Sequence, residues 1–275
     1  MPNSSMELPS TLVVASVCIN PASERSSMSI KVYLLDGGDL LMDQSLITWN
    51  HGMGSTKRIP VFSVFIDHPD GKVLFDTGFD LEQARKDLPF EEPEQSSEQT
   101  IPVQLGKIGV KPGDIDILVN SHLHFDHCGA NHLFSQAENI VHKQELREAF
   151  SPETFERLGY NRGLFDFPDR DYHLIEGDYE VLPGIQLIFT PGHTVGHYSL
   201  LVELDSGPVL YTADAAWCRE NLEHDHLMGL HHDPLAMLCS FQRLKQLIAV
   251  RKPTLLYPHD LEDYHHYKKA PNYYV

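Results

Sequence analysis

Apolar residues alternate with polar ones, or run together in short blocks, at intervals that predict a strand-rich chain with helices between the strands. Strands are expected over Ile30 to Leu35, Pro60 to Asp67 and Lys72 to Asp76. The last two are joined by His68-Pro69-Asp70-Gly71, whose turn chemistry predicts a hairpin. Residues 80–100 are polar, acidic and proline-bearing, and read as a surface helix followed by a loop over the site. Further strands are expected over Ile115 to Val119, Ile140 to His142, Ile185 to Phe189, Tyr198 to Glu203, Val209 to Ala213 and Thr254 to Tyr257. Asp233-Pro234 has the form of a helix cap followed by a first-turn proline, and Leu235, Leu238, Phe241, Leu244 and Ile248 then recur at helical spacing, predicting the face that packs on a sheet. Alternating strand, loop and helix indicate a layered α/β protein. No linker or short repeat divides the chain, so residues 29–275 are expected to form one domain of two similar halves, with residues 1–28 a loose extension.

Composition narrows the functions. The chain has 275 residues, 41% of them apolar and 22% charged, which is ordinary for a globular protein. Thirty-nine acidic against 21 basic residues leave a formal charge of −18, and no basic stripe is present, which argues against nucleic acid as a partner. Apolar runs such as Ile115 to Val119 are too short to cross a bilayer. The run from Leu12 to Ile19 lacks the preceding basic segment of a signal peptide. Cys18, Cys128, Cys218 and Cys239 form no CxxC pair and read as reduced thiols, which favours the cytoplasm. Cys128 reads as a small core residue.

Seventeen histidines are the unusual feature. The string His122-Leu123-His124-Phe125-Asp126-His127 follows a strand directly. Side chains two apart on extended backbone share a side, so His122 and His124 can reach one metal while Asp126 and His127 point toward a second. His193, Asp214 and His259 each stand just beyond an apolar strand, at what a layered fold makes the same sheet edge. These imidazoles and carboxylates suit two divalent transition-metal ions, with Asp214 able to bridge them. Zinc is the first expectation, and the donors are also compatible with iron, manganese or cobalt. Asp76-Thr77-Gly78 is expected to brace the metal loop from behind. His224, His226, His231 and His232 read as solvated loop residues, and Leu40, Leu41, Met42, Ile47, Trp49, Met53, Leu88 and Phe90 as candidate walls of a pocket.

With His122 to His127, Pro191-Gly192-His193, Asp214-Ala215-Ala216 and His259-Asp260, the chain resembles the metallo-β-lactamase superfamily, in particular its N-acyl homoserine lactonase branch. Strings such as Leu88-Pro89-Phe90-Glu91 also resemble 4-pyridoxolactonase. The resemblance implies a four-layer αββα sandwich, with His122, His124 and His193 on one metal, Asp126, His127 and His259 on the other, and Asp214 between. It further implies a hydrolase that opens a small lactone with a metal-bound hydroxide; as the ring C–O bond breaks, the leaving alkoxide needs charge stabilisation and a proton, which the second metal and Asp126 are expected to supply. A homodimer is left open as an assembly. The alternatives are 4-pyridoxolactone or another γ-lactone as substrate, a thioester hydrolase of the glyoxalase II kind, a phosphodiesterase, and a non-catalytic metal-dependent binding protein. The departure is Trp217, which stands where these lactonases carry a tyrosine; it is expected to face the reacting ester, so that Trp217→Phe would alter KM more than kcat.

Overall fold

The computed structural model describes residues 29–168 and 170–275. The extension expected over residues 1–28, together with Cys18, lies outside the described residues. Two sheets carry the architecture. The first has six strands in the order β1 to β6: Lys31–Asp43, Thr56–His68, Gly71–Phe75, Ile117–Val119, Glu138–His142 and Tyr172–Ile175. The second runs β11-β10-β9-β8-β7 and comprises β7 Tyr179–Leu182, β8 Ile185–Phe189, β9 Tyr198–Val202, β10 Val209–Tyr211 and β11 Thr254–Leu256. β2 and β3 form the predicted hairpin, in antiparallel register from Val64 opposite Phe75 to His68 opposite Gly71. β3 to β6 are mutually parallel, and β11 is parallel to β10, so each sheet has one set of neighbouring strands whose ends point the same way.

Side-chain alternation on the strands builds the layers. Val32, Leu34, Val64 and Ile66 of the first sheet meet Leu187, Leu200, Val202 and Tyr211 of the second in a buried inner core. Their neighbours point outward: Tyr33, Leu35 and Leu74 pack under Ile101 and Leu105, and Leu201 and Leu210 pack under Met237, Phe241 and Leu244. The result is helix, sheet, sheet, helix, the αββα sandwich implied by the resemblance.

The helix Pro234–Arg251 starts as its cap predicts, with Asp233 accepting hydrogen bonds from the backbone N–H groups of Leu235 and Ala236. Its buried face differs from the predicted stripe. Leu235 is 72% exposed, while Met237 and Ser240 are buried beside Phe241 and Leu244. At its first turn the helix packs on the His193 loop through Met237: Gly192, at φ +136°, lies so close that a Cβ there would stand 2.4 Å from the Met237 backbone. β6 and β7 were not expected. Both are short and mostly half-exposed, so neither has the apolar run or strict alternation that marks a strand.

Candidate metal centre

The loop that leaves β4 carries the ligand string, and its backbone conformation is set by Asp76 at the end of β3. Asp76 sits at φ +62°, a conformation aspartate tolerates better than most side chains, and is buried to 1% exposure. Its Oδ1 accepts from the Ser121 N–H at 2.7 Å, and its Oδ2 accepts from Ser121 Oγ at 2.7 Å and lies 2.8 Å from His127 Nδ1. Thr77 Oγ1 donates to Asn131 and accepts from the Ala130 N–H, tying the far end of the loop.

All seven predicted residues converge. The donor atoms of His122, His124 and His193 lie within 4.8 Å of one another, as do those of Asp126, His127 and His259. Asp214 stands between the two triads. Its Oδ1 is 3.2 Å from His127 Nε2 and 3.4 Å from His259 Nε2, and its Oδ2 is 3.3 Å from His193 Nε2. The outer nitrogens of four rings are engaged away from the centre: His122 Nδ1 by Ser121 Oγ, His127 Nδ1 by Asp76, His193 Nδ1 by the Leu230 carbonyl and His259 Nδ1 by the Pro60 carbonyl. An imidazole that donates through Nδ1 presents the lone pair of Nε2, so these bonds aim the inner nitrogens at a common space.

The residues fit a pair of cations. His122 and His127 each have a buried Nε2 without a hydrogen-bond partner, and Asp214 Oδ1 is likewise unpartnered, while His124 turns its Nδ1 to within 3.1 Å of His193 Nε2. So many unsatisfied buried polar atoms in one place are expensive unless something positive lies among them. Burial holds the His122 imidazole far below its ordinary pKa and that of His124 down to about 3, with neighbouring imidazoles adding to the effect, so both are neutral donors. At His127 burial works in the same direction, but Asp214, Asp126 and Asp76 outweigh it and hold the ring's pKa well above the usual range. The carboxylates draw positive charge to this point.

Supports that the sequence did not single out come from a distant helix and loop. Glu145, on the helix Lys143–Phe150, is fully buried and accepts from the N–H groups of Leu123 and Gly196 and from the Tyr160 hydroxyl. One carboxyl group thereby ties the His122–His127 loop to the His193 loop. The Tyr160 ring lies 4.6 Å from that of His124, and a Cβ at Gly159 would stand 2.5 Å from the same imidazole, so only glycine lets the loop close over it. Nothing local marks Glu145 as special: it reads as one polar residue of an amphipathic helix. His197, four residues after His193 in the same string, is also buried, with Nδ1 2.9 Å from Thr190 Oγ1.

Above the cluster lies a cavity of 440 Å³, lined by Leu40, Met42, Trp49, Leu88 and Phe90 from the predicted wall set, with His124, Asp126, His193, Asp214 and His259. Leu41, Ile47 and Met53 do not line it; Ile47 packs in the core and Met53 is exposed. His231, expected in a solvated loop, lines the cavity and stacks edge-on against Trp49 at 4.7 Å. His232 pairs with Glu156 at 2.7 Å. Cys128 is a buried core residue, as expected.

Trp217 also lines the cavity, but it is only 3% exposed, and its indole N–H donates to Asp214 Oδ2 at 2.7 Å. Its ring lies 5.1 Å from that of His259 and 5.8 Å from that of His193. The N–H is therefore committed to the carboxylate and is not free for an ester oxygen. This revises the expected effect of Trp217→Phe: loss of a buried hydrogen bond to a charged group costs about 2 kcal/mol. The variant should melt about 5 °C lower and lose about tenfold in kcat, with a smaller change in KM. Kinetics and thermal melting read both; a pure KM effect would show that the Asp214 contact is immaterial.

Two clusters of histidine and carboxylate at one edge of an αββα sandwich define a metallohydrolase scaffold, and the chain belongs to the metallo-β-lactamase superfamily, whose family model matches residues 56–270. Among its relatives, the N-acyl homoserine lactonase of Bacillus cereus is 34% identical over 252 residues, spanning 88% of this chain and 98% of that protein. The N-acyl homoserine lactonase of Rhizobium radiobacter is 34% identical over 262 residues, spanning 90% of this chain and 99% of that protein. A solved N-acyl homoserine lactone hydrolase, with the product N-hexanoyl-L-homoserine at its catalytic metal center, superposes with a TM-score of 0.81 at 32% identity, covering 89% of this chain and 98% of that one.

Proposed function

We propose that the chain is a dinuclear metal-dependent lactonase that opens the ring of N-acyl homoserine lactones. The observation that carries this is the placement of Asp214 between two histidine-containing triads at the floor of a largely apolar cavity. Similarity to N-acyl homoserine lactonases along nearly the whole chain supports the substrate. His122, His124 and His193 would hold one ion, Asp126, His127 and His259 the other, and Asp214 both; the nitrogen-rich donor set favours zinc. Bound there, two such cations polarise a carbonyl and acidify water.

The chain's own groups do the rest. Leu40, Met42, Trp49 and Phe90 would form an apolar wall for an acyl chain. Asp126, which lines the cavity with its Oδ2 3.5 Å from His127 Nε2 and 3.8 Å from His259 Nε2, would take up the proton lost by the attacking water and pass it to the ring oxygen as the C–O bond breaks. Asp76 and Glu145 keep the imidazoles in register through the bonds described above. Residues 29–275 would act as one catalytic domain, and the free thiols of Cys128, Cys218 and Cys239 support a reducing compartment such as the cytoplasm.

The purified protein should carry close to two equivalents of transition metal by elemental analysis, and exhaustive chelation should lower its activity at least about a hundredfold, reversibly on adding zinc. In a panel of N-hexanoyl and N-decanoyl homoserine lactones, γ-butyrolactone, 4-pyridoxolactone, a glutathione thioester and a phosphodiester, an acyl homoserine lactone should give the highest kcat/KM. Preferential turnover of the thioester or the phosphodiester would overturn the lactonase reading. Full activity after chelation would overturn the dinuclear one.

A further inference from the structure

Outside the metal cluster most of the cavity wall is apolar, and Glu91, Glu156 and His231, the last bonded through Nδ1 to the Met228 carbonyl, break the pattern. Glu91, on the short turn Pro89–Glu91, is 7% exposed, lines the cavity, and has an Oε2 without a hydrogen-bond partner. Glu156 lines the cavity as well; its side chain is 6% exposed, Oε1 is taken by His232, and Oε2 has no partner. Glu156 is thus half explained by an ion pair within the protein. Among the described residues, no side-chain or backbone donor meets Glu91 Oε2, and its neighbours Leu88 and Phe90 follow the apolar pattern of the wall.

A buried carboxyl group with nothing to bond is costly, and at a wall position a leucine would be the stable choice. The cost is recovered when a bound molecule supplies the missing donor. Glu91 lines the same cavity as Asp126, and the two acidic groups repel. A carboxyl oxygen accepts a hydrogen bond whether or not the group is protonated, so its role does not depend on its charge state.

We propose that Glu91 is a specificity-determining residue: its carboxyl oxygen accepts a hydrogen bond from an N–H or O–H group carried next to the lactone ring, and the pocket thereby selects donor-bearing lactones over alkyl lactones of similar length. The class of substrate rests on the lactonase reading; the acceptor role of Glu91 rests on its burial and its unpartnered oxygen. An amide attached to the ring carries such a donor, whereas an alkyl γ-lactone leaves the carboxyl group unpaired against a hydrocarbon chain. A site built to bond a donor rejects the analogue that lacks it.

The test compares N-hexanoyl homoserine lactone, which has an amide N–H, with γ-decalactone, which has no donor. The protein as isolated with its metals should favour the first by about a hundredfold in kcat/KM. Glu91→Leu should shrink that ratio about thirtyfold, raising KM for the amide lactone and lowering it for γ-decalactone, while Glu91→Gln, which keeps an acceptor oxygen, should stay within about threefold of the parent. Glu91→Met serves the same purpose if the leucine variant does not fold. A ratio unchanged in both apolar variants would overturn the proposal. If neither lactone is hydrolysed, the lactonase reading fails, and calorimetry with the ring-opened compounds still decides the role of Glu91. The apolar variants should then bind N-hexanoyl homoserine about tenfold more weakly with little change for 4-hydroxydecanoate; equal changes for the two would sink it.

Discussion

Replacing Asp214 by alanine is expected to lower kcat/KM by at least about three orders of magnitude and to leave the protein with one metal equivalent or fewer, because a single carboxylate would be serving two ions. Its two oxygens face different triads: Oδ1 faces His127 and His259, and Oδ2 faces His193. No neighbouring side chain can take over both directions. The change also deprives the Trp217 N–H of its acceptor, which costs about 1–3 kcal/mol in the metal-free protein. His231→Ala is the control, since His231 lines the same cavity but bonds through Nδ1 to the Met228 carbonyl and belongs to neither triad. That variant should retain both metals and lose less than about tenfold in rate, in keeping with a wall residue that affects binding more than chemistry. Elemental analysis and steady-state kinetics on the pair decide it. Equal and mild effects at both positions would mean that Asp214 bridges nothing.

Asp76 should show the next largest effect, although it touches neither cavity nor substrate. Its carboxylate orients His127 through Nδ1 and satisfies both the N–H and the hydroxyl of Ser121, the residue that precedes the ligand string. Burial pushes the Asp76 carboxyl group toward a raised pKa, while His127 and the Ser121 bonds oppose that shift and favour the ionised form. Asp76→Asn keeps a side chain that tolerates φ +62° but loses the anionic acceptor for His127. Metal affinity should fall about 10- to 100-fold, as measured by competition with a chromogenic chelator. Asp76→Ala adds the strain of a positive φ and an unsatisfied Ser121 N–H, together about 3 kcal/mol, and should melt roughly 10 °C lower. Metal binding by Asp76→Asn as tight as in the parent would show that the His127 contact orients nothing.

The difference between the two halves of the site lies in how far apart in the chain its partners stand. His122, His124, Asp126 and His127 are legible because they occupy one short loop after an apolar strand, and His193, Asp214 and His259 because each follows a strand of its own. A strand with a polar residue at its end, repeated along the chain, can be read from residue order alone. The cap at Asp233 and the hairpin at His68 to Gly71 are local in the same sense, since each depends on only a few consecutive residues.

What the chain pattern could not show depends on contacts across long separations. The Leu123 N–H meets Glu145 from another helix, and His259 Nδ1 meets the carbonyl of Pro60 from the opposite sheet. The indole N–H of Trp217 lies only three residues from Asp214, yet its direction is set by packing against His193 and His259 rather than by spacing. Leu235 satisfies the helical period and is exposed, while Met237, which packs closely on Gly192, is buried. Glu91 reads in sequence as one acid in an acidic loop, and its unpartnered Oε2 shows only once the fold buries it in the wall of the cavity that Leu40, Met42 and Phe125 also line. The sequence by itself determined the strand-rich layered class, the histidine and carboxylate ligand set and the caps and turns, since these follow from residue type and short-range periodicity. Only the tertiary structure decided which polar atoms are left without partners inside the cavity, because burial and satisfaction belong to the whole packed fold.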